Sequence, residues 1–343
     1  MARALELARP HHPHPNPRVG AVVVDQSGRV VGEGSHLGPG NPHAEVIAIE
    51  QAGDRARGAV LYVTLEPCTH HGKTPPCVDA IVAGGLATVV VATDDPDPRV
   101  SGQGIAKLRA AGIEVVEGVM SEEARDLDPG YFHHRSRGLP LIVMKYAMTI
   151  DGSVAAADTS SKWITTKAAR EDSHRLRADM DAVMVGSGTI RADDPLLNVR
   201  MDDYEGPQPR PVILLGTRPL PDGARIWDRD PVVVTTSAQQ LDRGTVVRVA
   251  GVDGRPDPAA AAQALGELGL LTILLEGGPG VAGAWWRAGL IDRGVVYIGS
   301  KVGGGTGRSP LGGAFGTIDD ARVVTITGVN SLDGDLRVDF VTD

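Results

Sequence analysis

The sequence predicts an α/β protein with two domains. Strand-like apolar segments alternate with helical segments in both halves of the chain, and this alternation is typical of a mixed or parallel sheet covered by helices. The chain has 343 residues, and a prior of ~150 residues per domain suggests two domains for that length. The 44 Gly and 24 Pro are spread among the strand-like segments, so we expect a folded chain.

A helix, a hairpin and then alternating helices and strands are predicted for the first half. The proline-rich segment 10–17 carries three His, and its interleaved prolines favour a rigid loop over a metal site. The helix that follows His43 is expected to turn Val46, Ile47 and Ile49 towards the sheet. The other elements are predicted as helices at 2–9, 78–84 and 105–111, a hairpin of 19–24 and 29–34, and strands at 60–65, 87–92 and 113–117.

A charge-rich segment separates the two halves. Residues 121–138 contain an acidic helical patch, a Pro-Gly break and a basic stretch. Such a segment between two strand-rich regions is where a domain boundary is expected. We therefore predict one domain at 1–138 and a second at 139–343.

The second half again alternates strands and helices. The apolar segment 141–148 predicts a buried strand. Thr165 or Thr166 can cap the helix that follows it, and residues 186–195 are expected to form a loop. The remaining elements are predicted as strands at 182–185, 211–215, 232–236, 271–276 and 295–298 and as helices at 258–268 and 284–288.

Composition argues against several classes of partner. The net charge is −9 and aromatic residues make up 3% of the chain, which disfavours nonspecific binding to nucleic acid. No apolar run approaches the ~20 residues of a membrane helix, and the first residues lack the apolar core of a signal peptide. With two Cys in the chain, a disulfide framework is not expected. We predict a cytoplasmic protein with small-molecule partners, no nucleic acid and no membrane.

The stretch from His43 to Cys77 carries a candidate metal site. One imidazole and two thiolates, from His43, Cys68 and Cys77, form a zinc ligand set that leaves the fourth position open for water. A structural site would normally add a fourth Cys or His, and both Cys of the chain are already used. Glu45 lies beside this set without being needed as a ligand, so it is the candidate proton shuttle.

These residues match the H-x-E and P-C signature of zinc deaminases with one departure. Eight residues separate the two Cys where the signature has two. Because nine helical steps of roughly 100° would put the Cys on opposite faces, residues 69–76 are predicted to be a loop and Cys77 to open the next helix. His70, His71 and Lys73 at the rim of the site would suit a phosphorylated substrate.

Glycine-rich turns after strands form a second candidate site. Residues 278–283 match G-x-G-x-x-G, and such a turn can present backbone N–H groups to a phosphate. The acidic residue expected ~20 positions later is missing, so we do not interpret the segment as a Rossmann unit. It is either a nucleotide site of another kind or an ordinary strand-to-helix turn. Residues 303–307 and the loop from Gly186 also follow strands, and several such loops would form a long cleft for a dinucleotide and a second ligand.

The aspartates at 94–97 either turn the chain or contact a ligand.

Six segments resemble the RibD family of bifunctional riboflavin-biosynthesis proteins. The match covers essentially the whole chain, and the cysteine segment is highly specific. The segments are NPRVG at 16–20, HAE at 43–45, EPCTHHGKTPPC at 66–77, IDG at 150–152, DDP at 193–195 and EGGP at 276–279.

The resemblance implies two activities and two cofactors. It implies a cytidine-deaminase-like three-layer domain followed by a dihydrofolate-reductase-like α/β domain. The first would use Zn²⁺ to deaminate 2,5-diamino-6-(5-phosphoribosylamino)pyrimidin-4-one, and the second would use NADPH to reduce the ribosyl group to ribityl. A homo-oligomer is also expected.

The resemblance further implies ligand contacts. Arg177 or Arg200 could clamp a phosphate, although either could instead lie on a solvated helix face. Asp151 and Asp193 are candidates for polar support. The implied substrate contacts are Asn16, His70, Lys73, Ser161, Arg177, Leu197, Arg200 and Glu276, and the implied cofactor contacts are Ala147, Trp163, Thr189, Asp193, Thr217, Gly278, Pro279, Gly280, Val281, Ala282, Gly283 and Ala284.

The chain departs from the family pattern at Gly216-Thr217, where the family has Asp-Ser, and at Asp97, where Asn is usual. Two other functions are weighed against the implied one. A nucleoside or tRNA deaminase joined to an unrelated domain would carry a basic face or be a short chain, and the sequence shows neither. A zinc-stabilised, non-catalytic binding protein would have no need of Glu45.

Overall fold

The computed structural model describes residues 1–70, 75–98, 100–236, 241–305, 307–313 and 316–342. It divides into two compact units, Met1–Gly138 and Leu139–Asp343. Each unit has its own sheet, and both sheets are accompanied by helices. The predicted α/β class is confirmed. Within the described residues, no helix is both long enough and apolar enough to span a membrane.

The first unit contains a five-stranded sheet in the order β2-β1-β3-β4-β5. Its strands are β1 (Gly20–Val24), β2 (Val30–Ser35), β3 (Val60–Val63), β4 (Thr88–Val91) and β5 (Glu114–Glu117). β1 pairs antiparallel with β2, as the predicted hairpin requires, and with β3, while β3, β4 and β5 run parallel. The helices are α1 (Ala2–Ala8), α2 (Ala44–Ala52), α3 (Cys77–Ala83), α4 (Gln103–Ala110), α5 (Ser121–Leu127) and α6 (Pro129–Arg137), with a 3-10 turn at Gly53–Ala56.

Helix α2 meets the sheet mainly through its alanines and only in part through the face predicted. Val46, Ile47 and Ile49 are partly buried, whereas the small residues Ala44, Ala48 and Ala52 are buried. A Cβ on Gly32 or Gly34 of β2 would lie 1.9 Å from the Ala48 oxygen or 2.2 Å from the Ala44 oxygen, and the one on Gly34 would lie 2.9 Å from Ile47 Cβ. The helix therefore approaches β2 closely because the strand presents glycine.

The basic segment before the boundary is helical. Asp128 accepts a hydrogen bond from the Tyr131 backbone N–H at 3.2 Å, and Pro129 occupies the first helical position of α6. Both features favour a helix start. The predicted Pro-Gly break is the junction between α5 and α6, and the helix ends at Gly138 with φ 72°.

The second unit contains a nine-stranded sheet in the order β10-β9-β8-β7-β13-β6-β14-β16-β15. Its strands, with the separate pair β11 and β12, are β6 (Leu141–Thr149), β7 (Ala182–Gly186), β8 (Arg210–Leu215), β9 (Val232–Thr235), β10 (Thr245–Arg248), β11 (Gly251–Val252), β12 (Arg255–Pro256), β13 (Thr272–Leu275), β14 (Arg293–Gly299), β15 (Val324–Leu332) and β16 (Asp335–Thr342). Its helices are α7 (Lys167–Ala178), α8 (Ser187–Asp193), α9 (Pro258–Glu267) and α10 (Pro279–Arg287), with 3-10 turns at Arg225–Arg229 and Ile318–Asp320.

Parallel pairing brings several strand ends to one edge of this sheet. From β10 through β14 in the sheet order, each strand runs parallel to its neighbour. Along β6, Ile142 and Met144 belong to the core on one face, and Leu141 and Val143 belong to the core on the other. Because both faces are covered, ligands are expected in crevices beyond the carboxyl ends of the strands.

Two predicted loops in this unit are helical. Residues 187–193 form α8, although 186–195 were expected to be a loop. Helix α10 begins at Pro279 and not at residue 284, because Pro279 suits the first helical position and Gly278 before it is extended. Gly283 therefore lies inside the helix, where a Cβ would approach the Gly312 oxygen to 2.1 Å. Thr166 is the residue that caps α7.

Candidate functional sites

Three elements of the first unit bring the predicted zinc ligands together. His43 is the N-cap of α2 with extended backbone (φ −75°, ψ 158°), so its side chain and that of Glu45 in the first turn can face the same point. Cys68 follows β3, and Cys77 opens α3 after Pro76. The predicted helix start at Cys77 is observed.

The geometry of the three side chains fits one metal ion. His43 Nδ1 lies 2.9 Å from Cys77 Sγ and 3.5 Å from Cys68 Sγ, and the two sulfurs are 3.3 Å apart. One imidazole nitrogen and two sulfurs within 4.8 Å of one another are the donor set of an open zinc site. The pKa of Cys68 falls to about 4, chiefly because the Cys77 side chain donates to it, which favours the thiolate that a metal needs.

Glu45 is placed to exchange a proton at this site. Its side chain is 3% exposed and lines the same cleft as His43 and Cys68. Burial raises the pKa of its carboxyl, and the neighbouring Cys68 raises it further. A carboxyl group with a raised pKa can hold a proton and return it.

A buried carboxylate anchors the segment that carries Cys68. Glu66 accepts hydrogen bonds from the backbone N–H groups of Gly102 at 2.9 Å, Gly104 at 2.8 Å and Ile105 at 3.3 Å. These N–H groups belong to the start of α4, whose positive dipole end favours a carboxylate. Glu66 therefore joins the cysteine segment to the loop after β4.

The metal site opens into a cleft of about 330 Å³. Asn16 lines it, and its Nδ2 lies 2.9 Å from His36 Nε2, whose Nδ1 is 3.1 Å from the Pro42 oxygen. His70 also lines the cleft. Lys73 and His71, predicted at the rim, lie outside the described residues.

The cleft has an acidic wall that was predicted only in part. Asp95 and Asp97 line it, so the aspartate turn does face the cleft, whereas Asp94 does not line it. The Tyr131 hydroxyl donates to Asp95 at 3.0 Å and 3.1 Å, and Arg135 lies over the Tyr131 ring at 5.2 Å. Burial raises the pKa of Asp95 to about 6. Tyr131 and Arg135 sit on α6, far along the chain from the cysteine motif, and no motif pointed to them.

A buried ion pair joins Glu276 and Arg177 in the second unit. Glu276, directly after β13, accepts from Arg177 Nε at 2.6 Å and Nη2 at 2.8 Å. Arg177 Nη1 donates to the Asn198 oxygen at 3.0 Å. Each of the three guanidinium nitrogens of Arg177 thus has a protein acceptor. Arg200, whose Nη1 donates to Asn198 Oδ1 at 3.0 Å, is the more exposed arginine.

Lys145 is a candidate functional residue that the sequence analysis did not select. It lies on β6 within an apolar run, and its Nζ is 3.9 Å from Glu276 Oε2. Burial lowers the pKa of its ammonium group, while Glu276 opposes the shift. A charged residue in an otherwise apolar strand was the available signal, because a buried Lys needs a partner.

Several of the other predicted contacts of this unit line one of two clefts. Lys145, Ala147, Trp163, Arg177 and Arg200 line a cleft of about 850 Å³. A neighbouring cleft of about 350 Å³ is lined by Trp163 as well. Of the remaining predicted residues, Ser161 lines the second cleft, Leu197 is buried, Thr189 and Asp193 lie on α8, Thr217 follows β8, and Gly278 to Ala284 span the start of α10.

Two protein-family models match the chain. One, described as "RibD C-terminal domain", matches residues 140–336. The other, described as "Cytidine and deoxycytidylate deaminase zinc-binding region", matches residues 1–93. The two matches fall in different compact units.

Similar proteins match along nearly the full length. The riboflavin biosynthesis protein RibD of Aquifex aeolicus is 42% identical, with 99% of this chain and 97% of that protein covered. RibD of Escherichia coli is 39% identical over 90% and 89% of the two chains. Among solved structures, Acinetobacter baumannii RibD superposes with TM-score 0.93 at 35% identity, covering 100% and 97% of the two chains. A Thermotoga maritima diaminohydroxyphosphoribosylaminopyrimidine deaminase/5-amino-6-(5-phosphoribosylamino)uracil reductase gives TM-score 0.90 at 35% identity, with the same coverage.

Proposed function

This chain belongs to the RibD family and is a bifunctional deaminase and reductase of riboflavin biosynthesis, and from that premise we propose which of its residues perform each reaction. The deaminase residues lie in the unit 1–138 and the reductase residues in the unit 139–343. The substrates are 2,5-diamino-6-(5-phosphoribosylamino)pyrimidin-4-one and its deaminated product. The single observation that supports this best is the convergence of His43, Cys68 and Cys77 beside the buried Glu45.

In the deamination, Glu45 moves the proton. When bound, zinc supplies an activated water at neutral pH, because it lowers the pKa of that water to about 7. Glu45 would take a proton from the attacking water and deliver it to the amino group that leaves as ammonia. Asn16, His70 and Lys73 would hold the phosphorylated pyrimidine, and the acidic wall at Asp95 would accept its N–H groups.

In the reduction, the ribosyl carbon gains a hydride and the opened ribosylamine gains a proton. NADPH supplies the hydride when bound. We propose that Lys145 donates this proton. Burial lowers the pKa of its ammonium group, and the neighbouring Glu276 carboxylate favours the charged form of that group. The ion pair of Glu276 with Arg177 holds that carboxylate in place.

The phosphate and cofactor contacts follow from the same clefts. Because the nitrogens of Arg177 already have protein acceptors, Arg200 is the better candidate for the substrate phosphate, with Ser161 and Leu197 as further substrate contacts. The positive end of the α10 dipole would face the cofactor phosphates. The proposed cofactor contacts are Ala147, Trp163, Thr189, Asp193, Thr217 and residues 278–284.

A nucleoside or tRNA deaminase with an unrelated appendage is less well supported, because the relatives match along both units. A non-catalytic zinc protein is disfavoured by the burial of Glu45 at the ligand set. We also propose a cytoplasmic homo-oligomer that binds no nucleic acid, as the net charge of −9 suggests.

A coupled assay on the full chain tests the proposed function. Ammonia release is measured on the diaminopyrimidine phosphate, and NADPH oxidation is measured on the deaminated substrate, each with and without a zinc chelator. We expect the chelator to stop ammonia release while NADPH oxidation continues. Ammonia release that survives complete removal of zinc would overturn the deaminase assignment, and no NADPH oxidation on the deaminated substrate would overturn the reductase assignment.

A further inference from the structure

Two loops of the second unit pair with each other beyond the sheet. One loop, 149–155, begins at the last residue of β6, and the other, which includes 301–305 and 307–308, follows β14. The Ile150 N–H donates to the Lys301 oxygen at 2.8 Å. Farther along, the Val154 N–H donates to the Arg308 oxygen and the Arg308 N–H donates to the Ala155 oxygen, both at 2.9 Å. We refer to these segments as the paired loops.

The Asp151 carboxylate joins the paired loops between those two points. It accepts from the Gly303 N–H at 3.1 Å to each oxygen and from the Gly304 N–H at 2.8 Å. The Thr149 hydroxyl donates to it at 2.5 Å. These bonds lower the pKa of Asp151 to about 2, with the Thr149 hydroxyl as the largest cause.

This arrangement changes the interpretation of the second glycine cluster. Backbone N–H groups in a glycine segment can bind a phosphate, and residues 303–307 were considered for such a role. The N–H groups of Gly303 and Gly304 instead bind a carboxylate of the protein itself. The glycines allow the loop to approach closely, since a Cβ on Gly307 would lie 2.1 Å from Ser153 Oγ.

The paired loops form a wall of the cleft of about 350 Å³. Thr149 and Ser153 contribute to this wall from one loop, and Lys301 and Gly303 contribute from the other. Trp163 also lines the cleft, and its backbone oxygen accepts from Lys301 Nζ at 2.6 Å. The first loop begins two residues after Ala147, so the chain between the two proposed cofactor contacts Ala147 and Trp163 passes through this wall.

We propose that Asp151 is a positioning residue of the cofactor site, which holds the paired loops together and thereby fixes the wall against which NADPH binds. The proposal rests on the proposed reductase function. Asp151 acts through the backbone of Gly303 and Gly304, and it makes no contribution to the proton or the hydride. Its charge matters because a carboxylate can accept from both glycines and from Thr149 at once, whereas the amide of Asn has one acceptor oxygen.

The test compares Asp151→Asn with the unsubstituted full chain by two readouts. Hydrogen exchange of the backbone amides reports whether 301–305 and 307–308 are held, and calorimetric titration with NADPH reports binding without turnover. We expect roughly tenfold faster exchange in these residues and roughly five- to tenfold weaker NADPH binding, because local opening and ligand binding are coupled. Thr149→Val removes the hydroxyl that donates to Asp151 and that also accepts from the Ser153 N–H at 3.0 Å, and it should change both readouts in the same direction.

The matched control is Asp320→Asn. Asp320 also accepts from backbone N–H groups of a glycine segment in the same unit, those of Gly316 at 3.0 Å and Thr317 at 2.9 Å, and it does not line the cleft. We expect NADPH binding to be unchanged in this variant, and ammonia release to be normal in every variant that folds.

Three results would overturn the proposal. They are unchanged exchange in Asp151→Asn, faster exchange with unchanged NADPH binding, and equal weakening of NADPH binding by the Asp320 control. If the unsubstituted chain itself binds no NADPH, the reductase assignment fails, and the exchange result still reports separately whether Asp151 holds the loops.

Discussion

Arg177 and Glu276 form a bidentate ion pair, in which Nε and Nη2 of the arginine donate to separate carboxylate oxygens at 2.6 Å and 2.8 Å. The two side chains are 13% and 11% exposed. Glu276 keeps its charge, with a pKa of about 2, because the favourable effects of Arg177 and Lys145 outweigh the burial that would raise it. One carboxylate thus stabilises two cations in the cleft of the second unit.

Glu276→Gln should abolish reduction and spare deamination. The substitution leaves Arg177 and Lys145 buried without their counter-charge, and breaking a buried ion pair in this way costs about 3–5 kcal/mol. We expect the free energy of unfolding of the second unit to fall and NADPH oxidation to drop by at least about a hundredfold. Denaturant unfolding and the two activity assays measure these effects.

Glu267→Gln is the control for that prediction. Glu267 is exposed on α9 and accepts from Gln263 at 3.0 Å, so its loss should leave both activities and the unfolding midpoint nearly unchanged. A Glu276→Gln enzyme that reduces its substrate at the normal rate would remove the ion pair from the proposed mechanism.

Glu45→Gln should abolish ammonia release while zinc stays bound. Gln has nearly the same size, but it cannot take or return a proton, and general acid–base catalysis contributes typically about 10²- to 10⁴-fold to a rate. Zinc content is measured on the purified variant beside ammonia release. Glu50→Gln, an exposed change on the same helix, should keep full activity. Loss of zinc together with loss of activity would instead indicate that Glu45 supports the metal site.

Much of the deaminase site could be predicted from the sequence, because most of its functional residues lie in short motifs. The spacing of Cys68 and Cys77 predicted both the loop between them and the helix start at Cys77, because a continuous helix would have separated the two thiols. The acidic wall depends on Tyr131 and Arg135, which approach Asp95 only through the packing of α6. No local pattern encodes that approach.

The errors have local physical causes. The larger hydrophobic residues of α2 predicted only part of the face that meets the sheet, because glycines on β2 let the alanines of the helix pack most closely. Helix α10 starts earlier than predicted, because Pro279 at the first helical position favours a helix even though glycines, which disfavour one, surround it. Lys145 was missed because its partner Glu276 is remote in sequence and adjacent only across parallel strands.

Glu66→Gln should destabilise the first unit and weaken its hold on zinc. The two oxygens of the Glu66 carboxylate accept from three N–H groups at the start of α4. The side-chain amide of Gln has only one acceptor oxygen, so it cannot accept all of these hydrogen bonds. Leaving a buried N–H without an acceptor costs about 1–3 kcal/mol. Since Cys68 follows Glu66 by two residues, we expect zinc affinity to fall as well, measured by competition with a chelating dye. Glu114→Gln on the exposed face of β5 is the control and should change neither quantity.

Asp95→Asn should flatten the pH dependence of stability between about pH 4 and pH 6. Burial raises the pKa of Asp95 from 3.8 to about 6, so the folded protein binds this proton more tightly than the unfolded chain does. The resulting stabilisation is complete below the unfolded pKa and is lost as the pH rises through the folded one; a shift of this size corresponds to about 3 kcal/mol at most. Asn keeps an acceptor for the Tyr131 hydroxyl but carries no titrating proton.

Urea unfolding at several pH values measures this effect. The free energy of unfolding should fall across this pH range in the natural protein and in the exposed control Asp94→Asn, and it should fall less in Asp95→Asn. Equal slopes in all three proteins would mean that Asp95 titrates alike in the folded and unfolded states.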